Sequence, residues 1–239
     1  LPVDLKHFLM SVGYLHQYEH ISEKKPAKWG YAGVMCFSKV QATRIFKGID
    51  HPELDIEGRA LTLFFKDQAI SGVYFPNSGK PGELMYMGKK ILFMEEYDKF
   101  LEKIIPVGFP VLVGGDTNVA RRIEDVFDRT DAPQNKQAPS CTVEEQKAFE
   151  KIVKNHCLKD QVERFQEKPK FTWFLNPSFR YQDKGMRVDH VLANRPMEKF
   201  IKYANTLECT YGSDHRPNLA ILKTNTLDEI MKEHGNPHW

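Results

Sequence analysis

Apolar residues recur along the chain in two patterns, one typical of strands and one typical of helices. Short apolar runs bounded by glycine, proline or polar residues predict strands at residues 29–39, 58–65, 69–75, 111–113, 171–174, 185–192 and 219–222. Apolar residues at helical spacing predict helices within residues 1–18, where Gly13 ends the helix, at residues 83–105, and after the capping-box sequence that begins at Thr142. We expect loops at residues 23–28 and 121–140 and a short helix after Lys223. This mixture predicts an α/β protein.

Two polar stretches stand out because each adjoins a predicted strand. Asp116 and Asn118 follow the apolar run 111–113 and two glycines, and Asp214 and His215 precede the run 219–222. The carboxyl end of a strand is where an α/β sheet usually binds ligands, and carboxylate, amide and imidazole groups suit phosphoryl chemistry. The alternative for a single such stretch is an ordinary turn, in which Asp and Asn bond their own backbone. The occurrence of two stretches favours a site.

Two further residues are candidates because of their position in predicted strands. Tyr74 lies near the end of its strand, beside Asn77, although a proline turn with the ring in the core is an equal alternative. Asp189 interrupts an apolar run. A buried carboxylate needs a partner, and His215 is the obvious one, the alternative being a turn cap or a surface pair.

Composition narrows the class of protein only slightly. The chain has 239 residues, of which 41% are hydrophobic, so that it can bury the core of one large α/β domain. Its formal net charge of +2 is too small to indicate a nucleic-acid-binding protein by itself. The four cysteines are scattered without metal-site spacing, and no apolar run is long enough to span a membrane. We therefore expect a soluble, intracellular protein with reduced thiols.

Six short motifs, in order along nearly the whole chain, resemble those of the exonuclease III family of apurinic/apyrimidinic DNA endonucleases. They are GYAGV at residues 30–34, YFPNS at 74–78, GDTNV at 115–119, TW at 172–173, GMRVD at 185–189 and SDH at 213–215. The GDxN and SDH pieces are common to the endonuclease/exonuclease/phosphatase superfamily, including inositol-phosphate phosphatases, sphingomyelinases and deadenylases. The other four favour the DNA-repair branch.

The resemblance implies a fold and a set of catalytic residues. The fold is a two-sheet α/β sandwich with outer helices, the DNase I-like fold, with its site where the strand ends of both sheets meet. Asp116 would orient or deprotonate the attacking water, and Tyr74 would contact the scissile phosphate. Asn77 and Asn118 would hold that phosphate. His215, oriented by Asp189, would stabilise the transition state, and Asp214 would ligate a metal together with Asp116.

The resemblance also implies a substrate pocket, a cofactor and a partner. Trp173, Met186 and Val188 match positions that line the family's pocket for a flipped abasic sugar, and Lys80 matches a basic residue that enters the DNA groove. For Trp173, a place in the core is an equal alternative. Because the ligands are all oxygen, Mg²⁺ is the expected ion, with Mn²⁺ as a substitute. The partner would be double-stranded DNA with abasic sites, bound by a monomer in the nucleus of a eukaryote or the cytoplasm of a bacterium.

The amino-terminal motifs of the family are missing. The family begins with strands that end in NxNG and QExK, whose glutamate is a principal metal ligand, and neither motif occurs here. We therefore expect residues 1–239 to form a single domain that is incomplete at its amino terminus. The predicted function is hydrolysis of the phosphodiester 5′ to abasic sites, with 3′-end cleaning or exonuclease activity. The alternatives are a catalytically impaired relative that binds damaged DNA and a phosphatase or phosphodiesterase of the same superfamily.

Overall fold

A mixed sheet of six strands forms the centre of the fold. The computed structural model describes residues 3–23, 28–127, 138–168 and 170–223. The strands are β1 (His16–Ile21), β2 (Gly33–Ser38), β3 (Arg44–Lys47), β4 (Ala60–Phe64), β5 (Ala69–Tyr74), β6 (Val111–Asp116), β7 (Leu158–Asp160), β8 (Asp189–Asn194), β9 (Ile201–Thr206) and β10 (Asn218–Leu222). The central sheet has the order β3-β4-β5-β6-β8-β7. Its β5 and β6 are parallel, and the other neighbours are antiparallel.

Two long helices, Met87–Ile104 and Val143–Asn155, cover one face of this sheet. The helices are α1 (Val3–Ser11), α2 (Pro52–Asp55), α3 (Met87–Ile104), α4 (Val143–Asn155), α5 (Gln161–Phe165), α6 (Pro177–Tyr181) and α7 (Arg195–Glu198), with a 3-10 turn at Ile123–Asp125. The main core joins α3 and α4 to the central strands, with Phe75 packed edge-on against Phe93, Tyr97 and Phe149. Alternate residues of β5 and β6, such as Val73 and Val113, point into this core.

The opposite face carries a second layer, which consists of two separate two-stranded sheets. The β1–β2 pair packs through Val34 on Leu61 and Leu63, and the β9–β10 pair packs through Ala204 and Ala220 on the face that carries Val191. These observations confirm the predicted two-layer α/β architecture. Among the residues that the structure describes, β2 and β10 each have a hydrogen-bonded neighbour on one side only.

Most of the predicted elements are present. The capping box is formed as predicted, with Thr142 and Glu145 bonded reciprocally at the start of α4. The first helix ends at Ser11, close to Gly13, whose φ is +91°. The predicted strand at 171–174 is wrong, because this segment makes only isolated bridges, and β1, β3, β7 and β9 were not predicted.

Some of the predicted elements cannot be compared with the structure. The predicted tail helix lies outside the described residues, as do parts of the loops at 23–28 and 121–140. Across the described part of the chain, no helix has both the length and the apolar character required to cross a bilayer.

Candidate active site

Strand register brings three predicted side chains to one edge of the central sheet. Tyr74 is the register partner of Asp116 across the parallel β5–β6 pair, and Asp116 is the partner of Asp189 across the antiparallel β6–β8 pair. Because side chains alternate along a strand, all three belong to the set that points away from the core helices. The sequence prediction that these strand ends share one site agrees with this placement.

The backbone after β6 turns sharply within a few residues. Gly115 has φ +138°, and a Cβ atom there would lie 2.0 Å from Val73 O, so only glycine fits beside the neighbouring strand. Asn118 has φ +51°, in the left-handed region that asparagine tolerates better than most residues. Its backbone N–H donates to Asp116 Oδ1 at 2.8 Å. The turn chemistry that the sequence suggested is therefore present, and it orients a carboxylate and an amide toward the same space.

Two asparagines and Asp116 form a continuous hydrogen-bonded chain. Asn77 Nδ2 donates to Asn118 Oδ1 at 3.2 Å, and Asn118 Nδ2 donates to Asp116 Oδ2 at 3.1 Å and to Phe75 O at 2.9 Å. Asn77 Oδ1 in turn accepts the backbone N–H of Gly79 at 2.8 Å. Each amide is thus held in one orientation before any ligand arrives.

His215 and Asp189 form a hydrogen-bonded pair, as the sequence predicted. His215 Nδ1 lies 2.8 Å from Asp189 Oδ2. The Asp189 backbone N–H donates to Thr172 Oγ1 at 3.0 Å, and Asn218 Nδ2 donates to Asp189 O at 3.1 Å. Burial alone lowers the pKa of His215, but the hydrogen bond and negative charge of Asp189, with smaller contributions from Asp116 and Asp214, raise it overall. The environment therefore favours an imidazolium.

Asp116 is in the opposite situation, since its surroundings disfavour its charge. Burial and the negative charge of Asp189 raise the pKa of Asp116 to about 7, against the opposing effects of His215, the Asn118 N–H and Lys90. A carboxyl group that titrates near neutral pH can exchange a proton with a bound water molecule. The perturbation also marks this position as a candidate functional site.

Most of these side chains line one cavity of about 580 Å³. The predicted site residues that line it are Tyr74, Asn77, Lys80, Asp116, Asn118, Trp173, Met186, Val188, Asp214 and His215. Asp189 does not line this cavity, and it contacts the lining through His215. One wall is polar, whereas Trp173, Met186 and Val188 provide apolar surface.

Trp173 connects the apolar wall to the polar one. Its backbone exchanges hydrogen bonds with Met186 at 2.9 Å in both directions and forms an isolated bridge with His215. Its indole Nε1 donates to Asp214 Oδ2 at 3.3 Å. Of the two alternatives that the sequence left open for Trp173, the structure supports a position in the cavity wall. Val188 is 3% exposed, so it lies beneath the apolar wall and contributes little of its accessible surface.

Sequence reasoning missed three residues that hold this site in place. Lys90 and Glu145 are fully buried beneath the Asn118 turn, and Arg180 on α6 donates to the backbone oxygens of Ser213 and His215 at 2.6 and 3.2 Å. The available signal for Lys90 was a cation on the apolar face of a predicted helix. For Arg180 the sequence offers no comparable signal, because its partners are main-chain atoms far along the chain.

The donor atoms suit a hard divalent cation without forming a complete cage. Among residues 3–23, 28–127, 138–168 and 170–223, no group of three or more His, Cys, Asp or Glu side chains is arranged to bind a metal ion. Asp116 and Asp214 both line the cavity, and the carboxylate of Asp189 adds negative charge behind them. Mg²⁺ typically takes one or two carboxylates and completes its shell with water and substrate phosphate. The oxygen donors and the excess of negative charge fit such an ion.

Comparison with known proteins identifies the family. The model of the endonuclease/exonuclease/phosphatase family matches residues 2–215, which is most of the chain. The chain belongs to this family. Within the family, its relatives include an exodeoxyribonuclease of Streptococcus pneumoniae serotype 4, which is 27% identical over 208 residues covering 82% of this chain and 71% of the relative. A DNA-(apurinic or apyrimidinic site) endonuclease of Dictyostelium discoideum is 25% identical over 229 residues, covering 94% of this chain and 60% of the relative.

Solved structures of two nucleases have the same fold. An AP endonuclease from Archaeoglobus fulgidus superposes with a TM-score of 0.77 at 19% identity, over 93% of this chain and 83% of that one. A 3′-5′ exonuclease from Neisseria meningitidis gives a TM-score of 0.75 at 19% identity, over 90% and 82% of the two chains. The resemblance to the exonuclease III family and the predicted fold class are therefore both confirmed.

Proposed function

We propose that this protein is a magnesium-dependent DNA-repair nuclease that hydrolyses the phosphodiester bond 5′ to an abasic site in duplex DNA. The observation that carries the proposal is the two-sided cavity. Its polar side holds Asp116, Asn118 and His215, which suit phosphodiester hydrolysis, and its apolar side holds Trp173 and Met186. The names of the relatives, exodeoxyribonuclease and AP endonuclease, support the same class of substrate.

In this proposal Asp116 activates the attacking water molecule. Its raised pKa makes it a stronger base than an ordinary carboxylate once it is ionised. The Asn118 N–H and Nδ2 both donate to its carboxylate and fix its plane. A water molecule held by Asp116 would therefore approach the phosphorus from one direction, which supplies the alignment that in-line displacement requires.

The transition state gathers negative charge on the phosphate oxygens, and this chain places donors around them. His215, whose pKa Asp189 raises, provides one donor, and Asn77 Nδ2, which gives one hydrogen to Asn118 Oδ1, has a second for a phosphate oxygen. Asn118 acts indirectly, because both hydrogens of its Nδ2 are donated to Asp116 and Phe75. The Tyr74 hydroxyl would contact the same phosphate. The Tyr74 ring is held in place by the guanidinium of Arg59, whose Cζ lies 4.5 Å from the ring centroid.

The apolar side of the cavity would recognise the lesion. A flipped abasic sugar is small and lacks a base, so an apolar niche of Trp173, Met186 and Val188 can enclose it, while a complete nucleotide would overfill the niche. Lys80, at the cavity rim, would contact the DNA backbone or groove. Recognition would thus depend on the shape of the sugar rather than on base sequence.

Asp214 and Asp116 would hold the divalent ion. When bound, Mg²⁺ would neutralise charge that develops on the phosphate and leaving oxygens. The Trp173 indole N–H, which donates to Asp214 Oδ2, would orient that carboxylate. We expect EDTA to abolish cleavage and added Mg²⁺ to restore it.

A nicking assay on a duplex with one abasic site tests the proposed function. The substrate carries a single tetrahydrofuran abasic analogue and a 5′ label, the matched control duplex carries a normal base there, and Mg²⁺ is varied. We expect incision 5′ to the lesion, no incision of the control duplex, and loss of incision in Asp116→Asn with retained fold.

Two other outcomes would replace the proposal. Binding of abasic DNA without cleavage at any Mg²⁺ concentration would select a damaged-DNA-binding role. Release of phosphate from inositol phosphates without nicking would select a phosphatase.

A further inference from the structure

Lys90 is a fully buried cation on the core-facing side of α3. Its side chain is 0% exposed, and one to two turns further along the helix Phe93, Met94 and Tyr97 belong to the hydrophobic core. Nζ lies 2.5 Å from the backbone oxygen of Asn118 and 2.5 Å from Glu145 Oε1. Burial lowers the pKa of Lys90, and the Glu145 carboxylate opposes that effect.

Glu145 also bonds to a second segment of the chain that lines the cavity, the one around Ser140. Its side chain is also 0% exposed. Oε1 accepts the Ser140 N–H at 3.1 Å, and Oε2 accepts the Thr142 N–H and Oγ1 at 3.0 and 2.8 Å. Ser140 lines the same cavity as Asn118, and its carbonyl oxygen accepts the Ala120 N–H at 2.8 Å. The Lys90–Glu145 pair therefore joins two cavity loops through the core.

The buried Lys90–Glu145 pair contributes little net stability to the helix interface. Removing both charges from water costs several kcal/mol, and an apolar pair of similar size would often be neutral or better for stability. The rest of the α3–α4 interface beside it is apolar, as Phe93 and Phe149 illustrate. An apolar pair could not bind a specific atom, whereas the Lys90 Nζ, held by Glu145, fixes the position of one peptide oxygen, that of Asn118.

That peptide oxygen belongs to a residue whose backbone is in the left-handed region. Asn118 has φ +51°, and its side chain links Asn77 to Asp116. The next carbonyl, Val119 O, accepts a hydrogen bond from buried His190 Nε2 at 3.0 Å. Both carbonyls of the turn are thus held from the helix side of the sheet, opposite the face that would bind substrate.

We propose that Lys90 is a positioning residue for the hydrolysis, and that its ion pair with Glu145 keeps Asn118 in the left-handed conformation that directs its carboxamide to Asn77 and to Asp116. The inference rests on the proposed function. Without Lys90 the Asn118 peptide can rotate, and its carboxamide leaves the line between Asn77 and Asp116. A displacement of about 1 Å in such a group can reduce the rate by roughly 10²-fold.

The main test compares a double variant with a matched control. Lys90→Met alone leaves the buried Glu145 carboxylate without its cationic partner, and the cost of that uncompensated charge could prevent folding irrespective of any role in positioning. We therefore use Lys90→Met/Glu145→Gln, in which glutamine still caps α4 at Thr142. Asp98→Asn is the control, since Asp98 also joins α3 to α4, through Asn155 Nδ2 at 2.8 Å, at the opposite end of the interface.

We measure Tm, kcat and KM for nicking of the abasic duplex. For the double variant we expect a Tm within a few degrees of the parent, KM within threefold and kcat reduced at least 30-fold. Lys90→Arg, which keeps a cation beside Glu145, should recover most of kcat. A kcat within threefold of the parent in the double variant would overturn the proposal, as would an equal loss of kcat in Asp98→Asn.

Hydrogen exchange separates this proposal from the proposed function. If the parent does not nick DNA, the proposed function fails, and amide exchange of residues 116–120 still tests Lys90. The double variant should exchange the Asn118 N–H, which donates to Asp116 Oδ1, at least tenfold faster than the parent, with unchanged exchange in α3. Equal exchange at Asn118 would contradict the positioning role.

Discussion

Asp116 shows how the site works against the stability of the protein. Its pKa rises from 3.8 to about 7 on folding, because of burial and the charge of Asp189. The folded protein therefore binds a proton at this position more tightly than the unfolded chain does. Linkage then requires the free energy of unfolding to decrease as the pH rises between these two values, and the loss is complete above about pH 7.

Asp116→Asn should consequently stabilise the protein at alkaline pH while it removes activity. We expect a gain on the order of 2 kcal/mol at pH 8, or roughly 5 °C in Tm, and little change near pH 4. The measurement is thermal unfolding in EDTA, since a bound cation would offset the penalty in the parent. A Tm that falls at pH 8 would show that Asp116 is better solvated than its burial suggests.

Asp189 raises the pKa of both Asp116 and His215, so that a single substitution of Asp189 should shift both pKa values. Its hydrogen bond and charge raise the pKa of His215, and its charge raises the pKa of Asp116. If activity needs ionised Asp116 and protonated His215, the rate rises with pH through the first pKa and falls through the second. In Asp189→Asn both limbs should shift to lower pH, with a lower maximum.

The pH profile of kcat/KM checks this prediction against a charge-matched control. Asp67→Asn removes one exposed carboxylate at the far end of β5, about 20 Å of strand away from Tyr74. Its profile should superpose on that of the parent. If the profile of Asp189→Asn does not move, Asp189 serves only to orient the imidazole ring.

At the scale of elements, the predictable parts are those whose order is local. The apolar run before Gly115 predicted β6, and the Thr142 capping box predicted the start of α4, because both signals lie within a few residues. The edge strands β3 and β9 carry exposed positions and short apolar segments, so no periodic pattern identifies them. Residues 171–174 are apolar enough for a strand, but their hydrogen bonds go to Met186 and to the loop around His215.

The site was predictable from its motifs, whereas its supports were not. Tyr74, Asp116 and Asp189 meet through strand register, which follows from the predicted sheet. Lys90 reaches Asn118 across 28 residues, and Arg180 reaches Ser213 across 33. Such contacts depend on how helices pack in three dimensions, and a single sequence carries no periodic signal for them.

Helix α6 contacts the loop that carries His215, the imidazole in the proposed mechanism. Arg180 donates to the carbonyls of Ser213, His215 and Thr210, and its guanidinium lies over the rings of Phe174 and Tyr211. Arg180→Ala removes these donors, each worth about 1.5 to 3 kcal/mol as a charged hydrogen bond. We expect kcat for nicking to fall roughly 10-fold or more, because His215 is no longer held against Asp189.

The matched control for this prediction is Arg164→Ala. Arg164 also donates from a short helix to a distant main-chain oxygen, Glu198 O at 3.0 Å, but it lies outside the cavity. It should lower Tm without a comparable loss of kcat. Similar effects of the two variants on kcat would indicate that α6 contributes only general stability.

At the scale of the whole molecule, the two layers differ in how tightly they are packed. All five residues of β4 are buried, whereas every residue of β1 is only partly buried and β10 contains no buried residue. Few buried contacts and unpaired strand edges lower the free energy of local opening. Strands β1, β2 and β10, which contain no buried residue, should therefore open more readily than the centre of the main sheet.

Hydrogen exchange followed by mass spectrometry checks this difference. We expect amides in β1, β2 and β10 to exchange at least tenfold faster than those in β4, β5 and β6 at neutral pH. Binding of an abasic duplex should slow exchange in β9 and β10 more than in β1, because the loop that joins them carries His215. Uniform exchange in both layers would show that the two halves of the second layer open only with the whole molecule.

Asp116 and His215 stand on parts of the fold that we expect to open at different temperatures. The proposed base, Asp116, ends β6 of the central sheet, whereas the imidazole of His215 stands on the loop before β10, a strand that contains no buried residue. Moderate warming would separate the two groups while the central sheet remains intact. Incision would then fail at a temperature below the melting transition and would return on cooling, so a calorimetric midpoint would overestimate the working range of the nuclease.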